Sequence, residues 1–552
     1  MEQSVRSTLR SIYEKALPVL LSKKIQDLME KNGNGNMAWN QSYRTKLASW
    51  RSKIYQTNEK GTMKRQRQHA AGKLTAREQI ETLFDEGTFH ETDQYAQSQS
   101  TDFGMAEKRC PGDGVITGWG RIHGQVVYAA VQDITVMGGS LGKIHGEKIW
   151  RIQDQAYENR CPIIFLIDSG GARVEEGVAA LSGYSGIFRR NVKCSGFIPQ
   201  IALLLGCSVG GSSYLPAMCD FTFMTQQTAR MFITGPGVVK EATGEEISAE
   251  ELGGARMHSE LSGAADFVFR DDAEVIREAR KFFTYICPGC AIHEDSNMTE
   301  TDKSAYLEEI VPDDQRKTYD MRQVIEILTD QHSFYECKER YAKNLIVGFG
   351  RMNGDTIGIV ANQPMELCGS LDAKASEKAA RFIRFCDCFD IPILTLVDTP
   401  GFFPGKQQEE EGIIRRGAKL LYAYAEATVP KITLVLRKAY GGAYIAMNSK
   451  CIGADLVYAW PIAQLAVLGA EGAVNVVFRK EIARSEDPEA DRKRKTDEYR
   501  RKFMNPYFAA SQGYIDEIIC PEETKRTLWH AFEGRRDRRK ESAEKKHGNI
   551  SL

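Results

Sequence analysis

Long apolar segments and a disulfide pattern are both missing from this sequence. No run approaches the ~18 consecutive apolar residues that a membrane-spanning helix needs. Glu2 and Glu14 lie where a transit peptide would avoid acidic residues. The thirteen cysteines are odd in number and scattered along the chain, which is typical of a reducing compartment. We therefore expect a cytoplasmic protein with no membrane segment of its own.

The sequence also has no excess of positive or of negative charge. The 73 Lys and Arg residues nearly balance the 74 Asp and Glu residues, so the formal net charge is -1 at pH 7. A basic surplus drives binding to nucleic acids and to acidic membrane surfaces, so neither partner is expected. Any anionic ligand has to be held by a local group of donors.

The signatures of several common catalytic sites are also absent. Ser212 and Ser213 follow a glycine pair but do not form the Gly-x-Ser-x-Gly elbow of the α/β-hydrolases. No glycine cluster has the spacing of dinucleotide-binding or Walker loops. Cys287 and Cys290 form one C-x-x-C pair without a second, and the nine histidines stand singly in unlike contexts. We predict neither a catalytic triad nor a metal site.

What the sequence does contain is an internal repeat. Residues 118–124 and 348–354 both read Gly-x-Gly-Arg-x-x-Gly, and 163–171 resembles 393–401 at the same spacing of 230 residues. This period indicates a duplicated domain, because stacked repeats have much shorter periods. The 552 residues also exceed the ~250 to 300 at which one core stops growing. We predict an N-terminal helical extension and linker, a first domain and a second domain, at residues 1–45, 46–300 and 301–552.

Each repeat is predicted to be an α/β domain. Hairpin-like strands come first, at 114–131 and 345–361, and helices then alternate with continuous apolar strands. Apolar runs that begin at Pro199 and Pro430 indicate buried strands. Each of these runs leads into a glycine pair and a short helix.

The two glycine pairs are the strongest candidates for chemistry. They lie within 208–215 and 439–447, at equivalent places in the two repeats. Glycine lets a ligand approach bare backbone N–H groups, and a helix N-terminus favours developing negative charge. A second glycine-containing loop follows an apolar strand in each repeat, at 168–173 and 398–405. Two loops in each domain can therefore aim donors at one oxygen, which suits an enolate or a thioester oxyanion.

Longer motifs support a family resemblance. They include Gly-Lys-Leu-Thr-Ala-Arg at 72–77, Asp-Ser-Gly-Gly-Ala-Arg at 168–173, Met-Phe-Ile-Thr-Gly-Pro at 231–236 and Arg-Lys-Ala-Tyr-Gly-Gly-Ala-Tyr at 437–444. From about Lys46 onwards the chain resembles the carboxyltransferase subunit of biotin-dependent acyl-CoA carboxylases, of the propionyl-CoA and acetyl-CoA carboxylase beta type. The central subunit of transcarboxylase and the alpha subunit of methylmalonyl-CoA decarboxylases are related members.

The resemblance implies a tandem pair of crotonase-like (ββα superhelix) domains. In that family the N-terminal domain binds acyl-CoA and the C-terminal domain binds biotin, and the active sites lie between subunits of a hexamer. Carboxybiotin releases CO2, the biotin enolate removes the α-proton of the acyl group, and the substrate enolate attacks CO2. No side-chain base is needed, which agrees with the missing catalytic constellation.

Residue roles follow from the same resemblance. Gly210 and Gly211 match the oxyanion hole for the thioester, and Gly442 with Ala443 match the hole for the ureido oxygen of biotin. Ile445 falls at the acyl-pocket position, where propionyl-type enzymes often carry Asp, so acetyl, propionyl and butyryl groups all stay open. The remaining residues expected to border the substrates are Gly170, Gly171, Ala172, Arg173, Gly401 and Tyr444.

The chain lacks a biotin-attachment sequence and an ATP-binding loop. The resemblance implies that a biotin carboxylase and a biotin carboxyl carrier subunit supply both functions. Two alternatives stay open: the equivalent subunit of a malonyl-type-CoA decarboxylase or transcarboxylase, and a non-catalytic CoA-binding scaffold of a biotin complex. Charged stretches at 484–503 and 535–547 are predicted to be solvated. The basic stretch 59–73 is either solvated or contributes to anion binding.

Overall fold

The structure is a computed structural model that describes residues 41–50, 62–287 and 303–535. The chain divides into two compact units, Met1–Gln66 and Arg67–Leu552, and the second unit holds both β-sheets. In the first unit, residues 41–50 and 62–66 are helical. The remaining helices expected within 1–45, and the domain boundary expected near residue 300, lie outside the described residues.

The first sheet has the strand order β1-β2-β3-β4-β5-β6-β8, with β7 paired to β5. The first three strands are antiparallel and the following pairs are parallel. Its strands are β1 (His90–Thr92), β2 (Val115–Ile122), β3 (Gln125–Gln132), β4 (Ile163–Ser169), β5 (Gln200–Val209), β6 (Phe221–Thr225), β7 (Arg230–Phe232) and β8 (Phe267–Phe269).

The second sheet repeats this topology. Its order is β9-β10-β11-β12-β13-β14-β16, with β15 paired to β13. The duplication and the α/β layering predicted from the sequence are therefore confirmed. The strands are β9 (Tyr335–Cys337), β10 (Leu345–Met352), β11 (Asp355–Asn362), β12 (Ile393–Thr399), β13 (Lys431–Tyr440), β14 (Leu456–Ala459), β15 (Gln464–Ala466) and β16 (Glu517–Ile518).

The α-helices alternate with these strands. Those up to the end of the first half are α1 (Thr62–Ala70), α2 (Ala76–Leu83), α3 (Met105–Lys108), α4 (Lys143–Glu158), α5 (Val178–Cys194), α6 (Tyr214–Met218), α7 (Pro236–Thr243), α8 (Ala249–Gly253) and α9 (Asp272–Ile286). Those of the second half are α10 (Leu307–Ile310), α11 (Met321–Leu328), α12 (Ala373–Cys388), α13 (Lys406–Glu410), α14 (Ile413–Glu426), α15 (Gly441–Ala446), α16 (Ala470–Val477), α17 (Arg479–Ile482), α18 (Pro488–Phe503), α19 (Pro506–Ser511) and α20 (Thr524–Glu533).

Local sequence explains the hairpin that opens each sheet. His123 and Gly124 between β2 and β3 have φ values of 49° and 78°, and Asn353 and Gly354 between β10 and β11 have 53° and 82°. Two successive residues with positive φ form the turn whose twist matches the flanking strands. The strands that follow, such as β4, are buried along their whole length, as expected for parallel strands covered on both faces.

An aromatic cluster joins the two halves into one core. The ring of Phe221 on β6 lies 4.7 Å from that of Phe385 on α12, and Phe282 on α9 lies 5.7 Å from Phe349 on β10. Tyr285 donates its hydroxyl hydrogen bond to the carbonyl of Ser333 at 2.8 Å. Because these side chains are buried together, each half is held in a fixed position on the other.

The charged stretch predicted at 484–503 is largely α18, in which only Thr496 is buried. The segment between β15 and β16 is longer than its equivalent between β7 and β8, and α18 lies in this extra length. The predicted solvated face is confirmed for this helix. Among the described residues, no helix combines the length and apolar character required to cross a membrane.

Candidate active site

The first glycine pair forms a tight turn at the end of β5. A 3₁₀ turn covers Gly210–Ser213, and Gly210 has a φ of 64°. The hydroxyl of Ser213 donates to the carbonyl of Gly210 at 2.6 Å, and Ser208 donates to Ser212 at 3.1 Å. These hydroxyls hold the turn together. The first amides of the turn have no partner within it and can donate to a ligand.

The second glycine pair forms the same feature at the end of β13. Gly441 begins α15 with a φ of 59°. Gly442 is exposed, Ala443 is buried, and Ile445 is 47% exposed. Burial raises the pKa of Tyr444 to about 12, so this phenol stays neutral at physiological pH. The structure therefore places Gly442, Ala443, Tyr444 and Ile445 on one short helix whose first amides are available.

An aromatic ring supports each glycine. A Cβ atom at Gly211 would lie 3.1 Å from the ring of Tyr184 on α5, and one at Gly442 would lie 3.6 Å from the ring of Phe402. Burial raises the pKa of Tyr184. Neither aromatic residue is predicted from the sequence, because rings in a helix or loop usually belong to the core and only the packing brings them to the glycines.

Both strands are bulged just before their turns. Ile167 of β4 pairs with Leu204 of β5, whereas Ser169 pairs with Ser208, so β5 carries two extra residues. Val397 pairs with Val435 and Thr399 with Ala439, which gives β13 the same bulge. A bulge bends the strand and changes the direction of the residues that follow it. The apolar runs that begin at Pro199 and Pro430 stop at Leu205 and Leu436, next to the bulges.

A buried carboxylate fills the bulge of the first half. Asp168 Oδ1 accepts a hydrogen bond from the backbone N–H of Cys207 at 3.0 Å. Its Oδ2 pairs with Lys73 Nζ, and both side chains are largely buried. Burial raises the pKa of the Cys207 thiol, and the nearby Asp168 adds to this effect. Lys73, within the basic stretch 59–73, therefore lies against the site and is not part of a solvated face.

The second half has the same carboxylate with a different cation. Asp398 Oδ1 accepts from the N–H of Lys438 at 3.2 Å, and its Oδ2 accepts from Arg437 Nε at 2.8 Å. Arg437 is fully buried and its guanidinium lies 4.8 Å from the centre of the Tyr319 ring. A carboxylate in an otherwise apolar strand needs a partner, which is the signal by which Asp168 and Asp398 could have been selected from the sequence.

The second glycine loop of each half lies beside its turn. A Cβ atom at Gly171 would lie 2.9 Å from the carbonyl oxygen of Val209, the residue before the first turn. Leu141 donates to the carbonyl of Gly171 at 2.8 Å, and Ala172 forms a bridge with Leu141. Gly170 is exposed. The structure therefore brings Gly170, Gly171 and Ala172 next to the first glycine pair.

The loop of the second half is equivalent. Leu371 donates to the carbonyl of Gly401 at 3.1 Å and accepts from the N–H of Phe403 at 2.8 Å. This pairing brings Phe402 beneath Gly442. Each half thus joins its own two loops through the strand ends of its own sheet.

The Arg173 side chain is enclosed by other groups of the protein. It is fully buried, and its Nη1 donates to Asp113 and to Glu176, both at 2.8 Å. Its Nη2 donates to the carbonyl of Ser140 at 2.9 Å. The guanidinium therefore ties the loop at 170–173 to neighbouring segments and presents no surface to a ligand here.

A comparison with known protein families decides the identity of the fold. The family model described as "Carboxyl transferase domain" matches residues 67–550. The chain belongs to this family. The carboxyltransferase is also 51% identical over 501 residues to the propionyl-CoA carboxylase beta chain of Saccharopolyspora erythraea, with 88% of this chain and 92% of the relative covered.

Two further comparisons agree. The methylmalonyl-CoA decarboxylase subunit alpha of Propionigenium modestum is 48% identical over 500 residues, with 89% of this chain and 96% of the relative covered. A crystal structure of transcarboxylase 12S, described as a hexamer with methylmalonyl-coenzyme A bound, superposes with a TM-score of 0.86 at 46% identity, covering 90% of this chain and 98% of that one. The fold of this carboxyltransferase is therefore the crotonase-like fold in tandem. The enzyme is a biotin-dependent acyl-CoA carboxyltransferase of the propionyl-CoA carboxylase and transcarboxylase type.

Proposed function

We propose that the two glycine turns are the two oxyanion holes of carboxyl transfer. The amides of Gly210 and Gly211 hold the thioester oxygen of a short-chain acyl-CoA, and those of Gly442 and Ala443 hold the ureido oxygen of biotin. The observation that carries this proposal is that both halves contain the same local structure at the end of a central strand. In each half a bulged strand ends on a glycine with left-handed backbone and leads into a short helical turn.

The residues present fit biotin on the second turn. Gly442 is exposed, and a Cβ atom there would make only an ordinary contact with the Phe402 ring at 3.6 Å, so a ligand can reach the turn. Carboxybiotin, when bound, supplies the carboxyl group. The chain contributes backbone donors that stabilise developing negative charge, while Tyr184 and Phe402 line the glycines and limit the access of water.

The neighbouring loops border the substrates in this proposal. Gly170, Gly171 and Ala172 lie beside the thioester, and Gly401 lies beside biotin. Tyr444 and Ile445 form the acyl pocket. Arg173 acts through the loop that it holds, because its guanidinium is fully engaged by Asp113, Glu176 and the Ser140 carbonyl.

We further propose that the enzyme works in the cytoplasm as a homohexamer with active sites at dimer interfaces. It receives biotin from a biotin carboxylase and carrier subunit. The transcarboxylase 12S relative is described as a hexameric multienzyme core, which supports the assembly. The cysteines that the structure describes are all free thiols, which supports a reducing compartment.

The test uses the purified protein with free biotin and methylmalonyl-CoA or malonyl-CoA. We expect slow decarboxylation or transfer in the reverse direction, and no turnover with any malonyl-type CoA would refute the proposal. Gly211→Val and Gly442→Val keep the backbone N–H but place a branched side chain at the turn. By displacing the amide from the oxyanion, each should lower kcat about 100- to 1000-fold, the typical effect of losing one oxyanion donor. Gly442→Val should also raise the KM for biotin, and Gly211→Val should leave it unchanged.

A second candidate is a subunit of a malonyl-type-CoA decarboxylase or transcarboxylase. Its support is that a decarboxylase alpha subunit and the 12S transcarboxylase subunit of Propionibacterium freudenreichii are 48% and 49% identical to this chain. The local chemistry is the same, so co-purification distinguishes the two. A biotin carboxylase partner supports the carboxylase, and an integral membrane subunit supports the decarboxylase.

The choice of acyl group is measured by kinetics. A steady-state panel of acetyl-, propionyl- and butyryl-CoA with the cognate biotin protein gives kcat and KM for each acyl group.

The remaining alternative is a non-catalytic scaffold. It predicts that Gly442→Val leaves the carboxyltransferase activity in cells intact. Loss of that activity would exclude the scaffold.

A further inference from the structure

The two buried carboxylates obtain their cations from different parts of the chain. Asp398 pairs with Arg437, which belongs to the bulge itself. Asp168 pairs with Lys73, which is 95 residues away in sequence and lies between α1 and α2, outside the sheet. The first glycine turn therefore depends on a residue outside its own strand, in the segment directly before α2.

The first half cannot take its cation from the strand position that supplies it in the second half. Gly206 occupies the place in β5 that Arg437 occupies in β13, directly before the residue that donates its N–H to the aspartate. A Cβ atom at Gly206 would lie 2.0 Å from Asp168 Oδ1. Since no side chain fits there, the cation has to come from elsewhere.

The segment that carries Lys73 is itself anchored. The N–H of Lys73 donates to the carbonyl of Gln68 at 2.9 Å, and the N–H of Leu74 donates to Asp272 Oδ2 at 3.0 Å. Thr75 then caps α2 together with Glu78. Only 12% of the Lys73 side chain is exposed. These hydrogen bonds fix the segment and therefore hold the Lys73 ammonium group next to Asp168.

We propose that Lys73 is a positioning residue for the thioester-side turn. It neutralises Asp168, which holds the bulge through the Cys207 N–H three residues before Gly210. The inference rests on the proposed function of that turn. Without Lys73, a buried carboxylate loses its partner and the bulge relaxes, so the amides of Gly210 and Gly211 lose their alignment. The biotin-side turn keeps its own clamp, Asp398 with Arg437, and is unaffected.

The experiment compares Lys73→Met, Lys73→Gln and Lys73→Arg with the wild-type full-length protein in the free-biotin assay. We expect kcat with methylmalonyl-CoA to fall about 10- to 100-fold in Lys73→Met, the effect of a misplacement of about 1 Å. The KM for biotin should stay within about twofold in the same variant, because the second turn is unchanged. Lys73→Arg should restore most of kcat. The matched control is Arg77→Met, which removes a cation of the same segment that pairs on the surface with Glu91 and should leave kcat unchanged.

Hydrogen exchange gives a second readout that does not require activity. In Lys73→Gln the amides of 205–211 should exchange at least about tenfold faster than in the wild type, while those of 436–442 keep their wild-type rate. Equal exchange in both peptides, or a Lys73→Met enzyme with wild-type kcat, would overturn the inference while the proposed function stands. A wild-type protein without turnover would overturn the proposed function and this inference with it.

Discussion

Single glycines with left-handed backbones start both turns. Gly210 and Gly441 have φ values of 64° and 59°, which side chains other than glycine adopt only at a cost. The next residue in each pair, Gly211 or Gly442, has its Cβ position facing an aromatic ring. Both turns therefore have a backbone requirement at the first glycine. A space requirement at the second applies to Gly211, where the distance to the ring would be 3.1 Å, and not to Gly442, where it would be 3.6 Å.

Gly441→Ala should cost about 1 to 2 kcal/mol of stability because of its positive φ. The added Cβ would also lie 3.2 Å from the carbonyl oxygen of Val467. We expect kcat to fall as well, because the shifted turn displaces the Gly442 amide. Chemical denaturation and the free-biotin assay measure the two effects. Gly472→Ala within α16 is the control, because it adds a good helix former at ordinary φ; a Gly441→Ala protein as stable as this control would contradict the prediction.

His145 makes stability depend on pH. Its imidazole is completely buried, with Nδ1 3.0 Å from the carbonyl oxygen of Asp113. Burial, with Arg173 nearby, lowers its pKa to about 3. Below pH ~6.5 the unfolded chain binds a proton that the folded chain does not, so stability falls as the pH drops from about 6.5 towards 3.

The expected slope from this one group is up to ~1.4 kcal/mol per pH unit. His145→Gln should remove about 2 kcal/mol of the loss in stability between pH 6.5 and 5. Denaturation midpoints at a series of pH values test this. His530→Gln, at an exposed site, should keep the wild-type slope, and an identical slope in His145→Gln would refute the assignment.

At the scale of elements, the bulges of β5 and β13 link each sheet to its glycine turn. β5 and β13 each carry two extra residues opposite a buried aspartate. The strand end that results is held by side-chain contacts and not only by the ladder of the sheet. We infer that the direction of each glycine turn is set by its carboxylate and by the cation that neutralises it.

Asp398→Asn should destabilise the protein by about 3 to 5 kcal/mol, because it leaves the buried charge of Arg437 without its partner. The double variant Asp398→Asn with Arg437→Met should lose less than the sum of the two single variants, since the fully buried Arg437 charge is removed together with its partner and only Lys438, 3.5 Å from Asp398, loses a carboxylate. A double-mutant cycle by denaturation measures the coupling. Additive losses would show that the pair does not act as a unit.

At the scale of the whole molecule, the two halves share one aromatic core. Phe221, Phe282 and Phe267 of the first half pack against Phe385, Phe349 and Tyr335 of the second. The polar contacts across the same seam include Arg351, whose Nη2 donates to the carbonyl of Thr284 at 2.9 Å. We expect the halves to unfold as one cooperative unit.

Phe385→Ala should lower stability by about 3 to 5 kcal/mol, the usual cost of removing a buried phenyl ring. Because the ring lies at the seam, calorimetry should also show the single transition broadening or splitting in two. Phe103→Ala removes a ring that is 81% exposed and should change stability by less than about 0.5 kcal/mol. A single sharp transition in Phe385→Ala would indicate that other contacts couple the halves.

Local patterns in the sequence were enough to predict the duplication, the α/β layers and the two glycine turns. The apolar strands and the glycine pairs are contiguous stretches, and their spacing repeats at about 230 residues. The family motifs then predicted the crotonase-like fold and the reaction, which the comparisons confirmed. The roles given to single residues in the two sites stay predictions that the variants above test.

Only the tertiary structure decided how the turns are supported. The family motifs predict Arg173 beside the substrate, whereas in the structure its guanidinium is fully buried among Asp113, Glu176 and the Ser140 carbonyl. In the sequence Lys73 belongs to a basic stretch, whereas in the structure it pairs with Asp168 across 95 residues. Periodicity and spacing report which face of an element is buried. The partner of a buried charge depends on how distant segments pack, which no local pattern contains.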